Sequence, residues 1–243
     1  MEHLLARCCN QTLLLKRGAD VIKSTLSSAA ISLTDLRKYA DAFLHHKELA
    51  YFKTLSFEKR QHSYLLGRLL AKQAITQYEK YISLTDILID FGVFHYPVAS
   101  YPGRNTLRVS FSHCREWAVA LAFPDSHPMG IDIELIDAKK NSVIATQLTD
   151  EEINLITAFN KSPQEKTFMI FWTAKEALSK ILRTGLTVST DFFAIKKITQ
   201  INNYCISEFK NFMQYQAYSF QIDLYMVSIV YPQQTTLIMP LRV

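Results

Sequence analysis

The sequence predicts an α+β protein built as two similar lobes, and three observations carry that expectation. Segments with the 3.6-residue apolar period of helices are interleaved with segments of strand-like alternation along the 243 residues. Ala71-Lys72-Gln73-Ala74-Ile75 is echoed by Ala174-Lys175-Glu176-Ala177-Leu178, and the strand-like run from Trp117 to Pro124 is echoed by the run from Tyr225 to Pro232. The two offsets, about 103 and about 108 residues, nearly agree, which a chance match would not require. The repeat divides the chain near residue 126, into lobes 1–126 and 127–243. It also carries an asymmetry: Gln73 stands in the first lobe where Glu176 stands in the second.

Taken in order, residues 35–60 show charged and apolar groups at helical spacing, and Leu65 to Tyr78 continues as a strong helix of good formers. Gly67 inside it costs about 1 kcal/mol relative to alanine, which predicts a close packing partner. Leu107 to Phe123 reads as two strands around a turn, ended by Pro124, and Met129 to Glu134 as a short strand. Thr149-Asp150-Glu151-Glu152 opens a helix with a capping-box pattern. Ser162-Pro163 breaks the periodicity, and Gln164 to Leu182 forms the next helix. From Phe193 onward the chain is β-rich, with Pro232 and Pro240 closing its segments, while residues 1 to about 30 fit no assignment.

Bulk properties narrow the function. A hydrophobic content of 49% supplies a well-developed core, and 6 Gly with 7 Pro exclude a low-complexity chain. The formal charge of +5 favours an anionic ligand or an acidic protein partner. No dense Lys/Arg run with interleaved aromatics supports nucleic-acid binding. The 4 cysteines have neither zinc-site nor disulfide-scaffold spacing and read as reduced thiols in a cytoplasmic protein. There is no signal-peptide pattern and no apolar run of roughly 18 residues to span a bilayer.

The chemistry-bearing residues form two clusters. In Gly130-Ile131-Asp132-Ile133-Glu134, strand alternation projects Asp132 and Glu134 together while Ile131 and Ile133 enter the core. Two carboxylates that close repel unless a cation joins them, and hard oxygen donors are what Mg²⁺ prefers. An isolated Asp-x-Glu is as readily a solvated strand edge. The second cluster supplies what the first lacks: Trp172, Lys175, Glu176, Ser179 and Lys180 recur at helical spacing, offering a third carboxylate and two ammonium groups. Glu176 and Lys180 alone would be an ordinary surface pair, but a large aromatic beside them is out of place on a merely solvated face. Upstream, Ser110-Phe111-Ser112-His113-Cys114 follows a strand and has little specificity by itself. The Gly-x-Ser-x-Gly elbow, the phosphate-binding Gly-rich loop and the His-Glu-x-x-His helix are all absent from the sequence, which removes the usual hydrolase, P-loop and zinc-protease readings.

In this order, Phe111-Ser112-His113, Gly130 to Glu134 and Trp172 to Lys180 resemble the signature of the 4′-phosphopantetheinyl transferases of the surfactin-synthetase-activating type, over a stretch from about Asp41 onward. The resemblance implies that family's fold, two pseudo-symmetric α+β lobes with coenzyme A held between them. It implies transfer of the phosphopantetheine arm of coenzyme A to a serine of an acyl or peptidyl carrier protein, with release of 3′,5′-ADP. Asp132, Glu134 and Glu176 would be the Mg²⁺ ligands, with Glu176 and Lys180 at the reacting centre, Lys175 close to phosphate, and Ser112 and His113 at the coenzyme, His113 on its 3′-phosphate. Arg60 and Arg68 resemble the family's first-lobe nucleotide contacts, with Lys47 and Arg104 as substitutes. The Gly-Lys-Pro turn that many members carry is not plainly present, Gly92-Val93-Phe94 and Pro97 occupying its stretch. A monomer is the family expectation.

Two rival readings remain on the sequence. A catalytically silent coenzyme A or carrier-protein binding module would not need three carboxylates and two lysines. A generic Mg²⁺-dependent nucleotide phosphotransferase would normally carry the Gly-rich loop that is missing.

Overall fold

Leu13 and Leu15 are buried on a strand whose neighbouring residues are more exposed, so the N-terminal segment is held by one face of a hairpin. The computed structural model describes residues 1–93, 96–103, 106–185 and 187–238. These divide into two compact units, one of Met1–Pro128 with Leu237 and Ile238, the other of Met129–Thr236.

The first unit starts with a single turn, α1 (Glu2–Leu5), then the hairpin of β1 (Cys9–Arg17) and β2 (Asp20–Ala30). Gly18, at φ 60, makes the turn that pairs Arg17 with Asp20. Ser24, Thr25, Ser27 and Ser28 are all buried on β2, so hydroxyls stand where alternation would place apolar side chains, and the strand carries no readable pattern. The stretch 35–60 is not one helix. Ser32 caps α2 (Leu33–Lys38), α3 (Ala40–Phe43) follows, and the chain turns extended at Leu44 before His45 caps α4 (His46–Phe52). The long helix α5 (Glu58–Tyr78) then runs across the sheet, buried continuously from Tyr64 to Ile75. Gly67 does have a close neighbour: a Cβ there would stand 3.2 Å from the Phe111 ring. The hairpin of β3 (Leu88–Phe91) and β4 (Pro97–Ser100) precedes β5 (Leu107–Cys114) and β6 (Trp117–Pro124), the two strands expected around a turn and ended by Pro124.

The second unit opens on β7 (Gly130–Leu135), passes through α6 (Asn141–Ala145) and α7 (Asp150–Ala158), and reaches α8 (Gln164–Leu182). Four strands follow: β8 (Ile195–Ile201), β9 (Tyr204–Phe209), β10 (Tyr215–Ile222) and β11 (Tyr225–Pro232). They form an antiparallel sheet in the order β7-β11-β10-β9-β8, over which Phe171, Ala174 and Leu178 of α8 close a core with Met226 and Val230. The last short strand, β12 (Thr236–Leu237), edges the other sheet, whose order is β12-β1-β2-β6-β5. Pro240 lies outside the described residues. Among the described residues no helix is long and apolar enough to cross a membrane.

The sheet registers align the two units residue by residue. Ala120 of β6 pairs with Ser27, and its repeat counterpart Ser228 of β11 pairs with Asp132. Ala118 pairs with Ala29, and its counterpart Met226 with Glu134. An independent contact agrees: the Thr25 hydroxyl donates to the Ala74 carbonyl at 2.6 Å, while Gly130, in Thr25's place, lies against the carbonyl of Ala177, which is Ala74's counterpart. Ser27, Ala29 and Gln73 of the first unit thus correspond to Asp132, Glu134 and Glu176 of the second.

Both units also bury the same Glu–Lys clasp. In the second, Glu152 is the N3 residue of the capping box begun by Thr149, and its other carboxylate oxygen accepts from the Ile195 N–H at 2.9 Å. Lys175 donates to Glu152 at 2.7 Å and to the Gln147 carbonyl at 3.1 Å. In the first, Glu48 is the N3 residue of the box begun by His45 and accepts from the Ile89 N–H and from Lys72, which also donates to the Phe43 carbonyl. Each clasp ties a helix start, the long helix and the next strand together through paired, hydrogen-bonded charge.

Candidate functional site

The acidic cluster is assembled by α8 and β7. Nearly continuous burial from Thr167 to Ser179 keeps α8 on its sheet, and Arg183 ends it in the left-handed conformation, donating to the Ser179 and Lys180 carbonyls. Gly130 lets β7 lie directly on the helix, since a Cβ would drive into the Ala177 carbonyl oxygen. Gly130→Ala is therefore expected to lower stability by about 3 kcal/mol, the upper end of overpacking costs, because backbone cannot move aside as a side chain does. Thermal melting checks it, and an unchanged midpoint would show that the strand is not pressed on the helix.

With β7 seated this way, Asp132 and Glu134 approach Glu176 and Lys180. Lys180 Nζ donates to Asp132 Oδ1 at 2.8 Å and to the Ile131 carbonyl at 2.7 Å. Lys140, on the turn Ala138–Lys140, donates to Glu134 Oε2 at 2.7 Å. Burial, then the charges of Asp132 and Glu134, push the Glu176 carboxyl up to about 7, against the opposing effect of Lys180. Glu176 thus feels both of the other carboxylates. The oxygens of all three are the hard donors a divalent cation takes, yet ammonium groups now neutralise two of them. Among the described residues no group of three or more His, Cys, Asp or Glu side chains is already arranged to hold a metal ion.

The counterpart position in the first unit carries no such charge. Ser27 donates to Asn10, and Asn10 donates to Gln73, so a neutral hydrogen-bonded trio replaces the carboxylates.

Lys175 does not join the acidic cluster. Its side chain is 0% exposed and its ammonium is taken up by Glu152, so the expected phosphate contact is replaced by a structural one. Adjacent positions on a helix point about 100° apart, which is how Glu176 can reach the cluster while Lys175 enters the core. Ser179 is also wholly buried, and Trp172 packs against the core rather than standing on a solvated face.

The first unit contains a second feature, a cleft of ≈ 660 Å³ whose walls include Lys47, Arg60, Arg68 and His113. These four expected nucleotide contacts come from α4, α5 and β5. Arg68 forms part of its floor: it is buried, its guanidinium lies 3.4 Å from the Tyr64 ring centroid, and its Nε stands 3.6 Å from Glu48 Oε1. Glu48, already taken up by Lys72, and Asp90 also line it, so Lys47, Arg60 and Arg68 leave a modest positive excess that, with aromatic walls from Tyr64 and Phe111, suits an anionic ligand with a flat or apolar part. Strand alternation turns Ser112 away from Phe111 and His113, and it does not line the cleft. Arg104 lies outside the described residues. Tyr64 was not among the sequence candidates, although an aromatic four residues before an arginine on a helix is a readable signal. Lys140 was missed as well, and nothing distinguishes it in sequence from Lys139.

Comparison with known proteins places likenesses chiefly in the second unit. Residues 128–230 match the 4'-phosphopantetheinyl transferase superfamily. A 4'-phosphopantetheinyl transferase of Bacillus subtilis is 27% identical over 135 residues, covering 56% of this chain and 58% of the relative. The 4'-phosphopantetheinyl transferase Sfp of Bacillus subtilis (strain 168) is 29% identical over 136 residues, with the same 56% and 58% coverage. The chain thus spans little more than half the length of these relatives. A holo-(acyl-carrier-protein) synthase from Bacillus anthracis str. Ames, solved in complex with CoA (3',5'-ADP), overlaps at a TM-score of 0.36 with 20% identity, over 47% of this chain and 97% of that one. So low an overlap adds nothing to the assignment.

Proposed function

We propose that this chain transfers the 4′-phosphopantetheine arm of coenzyme A to a serine of an acyl or peptidyl carrier protein, releasing 3′,5′-ADP, a reading supported by the match of residues 128–230 to the 4′-phosphopantetheinyl transferase superfamily. The observation that carries the reading is the asymmetry of the repeat. Carboxylates stand at Asp132, Glu134 and Glu176, where the other unit has Ser27, Ala29 and Gln73, so one unit alone keeps the acidic set. A fold that needed these positions only for packing would have no use for three gathered carboxylates, two of them needing lysine partners and the third pushed up to about 7.

The three carboxylates are the residues that would hold Mg²⁺. When bound, the ion would supply charge neutralisation at the pyrophosphate as the serine oxygen attacks the β-phosphate. Lys180, steadied by the Ile131 carbonyl, presents a fixed ammonium beside the acidic set and suits the transferring phosphate. Lys47, Arg60, Arg68 and His113 suit the 3′-phosphate and nucleotide end of the coenzyme. Lys175 takes no part, being committed to Glu152. The formal charge of +5 favours the acidic surface of a carrier protein and speeds its encounter.

Incubation with apo carrier protein, coenzyme A and Mg²⁺ is expected to add one phosphopantetheine group, read by intact-mass spectrometry. Measurable coenzyme A binding with no adduct on any of several carrier proteins would instead make the chain a silent binding module.

A further inference from the structure

The acidic cluster is neutralised by two lysines of different character, and the difference has a consequence for metal binding. Lys180 is only 27% exposed and is fixed a second time by the Ile131 carbonyl. Lys140 is 42% exposed and reaches Glu134 from a short turn six residues further along the chain. The Asp137 carboxylate accepts from the Lys139 N–H and holds that turn in place, so Lys140 is delivered to Glu134 by local structure rather than by a distant element. A lysine so exposed can return its ammonium to water at small cost.

We infer that Lys140 is a tethered counter-ion of Glu134, which a divalent cation must displace, and that it thereby sets the affinity of the acidic cluster for metal. The inference rests on the proposed metal reading of Asp132, Glu134 and Glu176. It fits the observed pairing, in which a Glu134 oxygen is turned to its own lysine. Lys140 is a positioning residue, acting through Glu134. Displacement needs no bond to break. The ammonium leaves the Glu134 oxygen for water, and that oxygen becomes available to the ion. The same exchange run backwards returns the released carboxylate to a partner already within reach, so the metal-free cluster is not left as three opposed charges.

Lys140→Met keeps the length of the side chain and removes the charge. Mn²⁺ is the probe, its free fraction read by electron paramagnetic resonance in titrations of the whole protein. Lys140→Met is expected to bind Mn²⁺ two- to five-fold more tightly than the native protein, a difference of about 0.4–1 kcal/mol. Lys139→Met, on the same turn, removes an equal charge without touching Glu134 and controls for the general field. Equal tightening in both lysine variants, or no tightening in Lys140→Met, overturns the inference. Its failure is separable from that of the metal reading. Native binding that Glu134→Gln weakens, unchanged by Lys140→Met, leaves the metal site standing and removes Lys140 from it, whereas no Mn²⁺ binding by any variant defeats both.

Discussion

Lys175→Met is expected to cost about 3–5 kcal/mol of stability, the cost of removing one partner from a buried ion pair. Glu152 would be left with two backbone N–H donors, from Thr149 and Ile195, and an uncompensated charge at a side chain that is 0% exposed. Burial holds the Lys175 ammonium below its usual range while Glu152 opposes that shift, so the pair is mutually dependent. A domain's whole stability is of order 5–15 kcal/mol, so this loss should be plain in urea unfolding. Glu152→Gln with Lys175→Met should recover part of it, since neither charge remains, although the single amide oxygen can accept from only one of the Thr149 and Ile195 N–H groups, which the carboxylate met with separate oxygens. The measurement separates two roles for Lys175. A phosphate contact predicts lost activity with an unchanged unfolding midpoint; the clasp predicts a lower midpoint in the single variant and partial recovery in the double. Lys72→Met should behave alike in the first unit, where burial already pushes Lys72 down to about 8.

The clasp marks a limit of what the sequence discloses. The capping box at Thr149 and the helix from Gln164 to Leu182 were legible, because both are local patterns of side-chain chemistry and period. That the box glutamate would spend its second oxygen on Ile195 and its charge on Lys175 depends on contacts 43 and 23 residues away. The hairpin of residues 9–30 was illegible for a different reason: its buried positions include serine and threonine, whose hydroxyls are satisfied inside the unit, as Thr25 is by Ala74. Within the site, the Gln73-for-Glu176 exchange was visible from the repeat alone. Its extension to Ser27 and Ala29 required strand register, which no spacing between residues 27 and 132 reveals. Lys175 shows the reverse error. A lysine next to a glutamate of the acidic cluster invites a shared role, and only the helix's packing tells the two apart.

Glu176→Gln is expected to abolish transfer, by on the order of 10²–10³-fold or more, while leaving the fold intact. Gln73 already occupies the matching place in the first unit, so the helix and sheet accommodate glutamine there. The variant has a second, activity-free signature. Burial and the neighbouring carboxylates hold Glu176 near 7 in the folded chain, against 4.5 for the unperturbed group. A folded-state value above the unfolded one favours the folded state fully below about 4.5, and that contribution is lost as the pH rises through 7. The native protein should therefore lose about 3 kcal/mol from this group between pH 4.5 and 8, and Glu176→Gln should not. The difference between the two proteins, measured by urea unfolding at pH 5 and pH 8, isolates Glu176 from the other titrating groups. Equal pH slopes would remove Glu176 from the acidic cluster, and full transfer activity in the variant would remove it from the chemistry. Loss of transfer together with the missing slope is the result that joins the structural asymmetry of the two units to a single reacting centre.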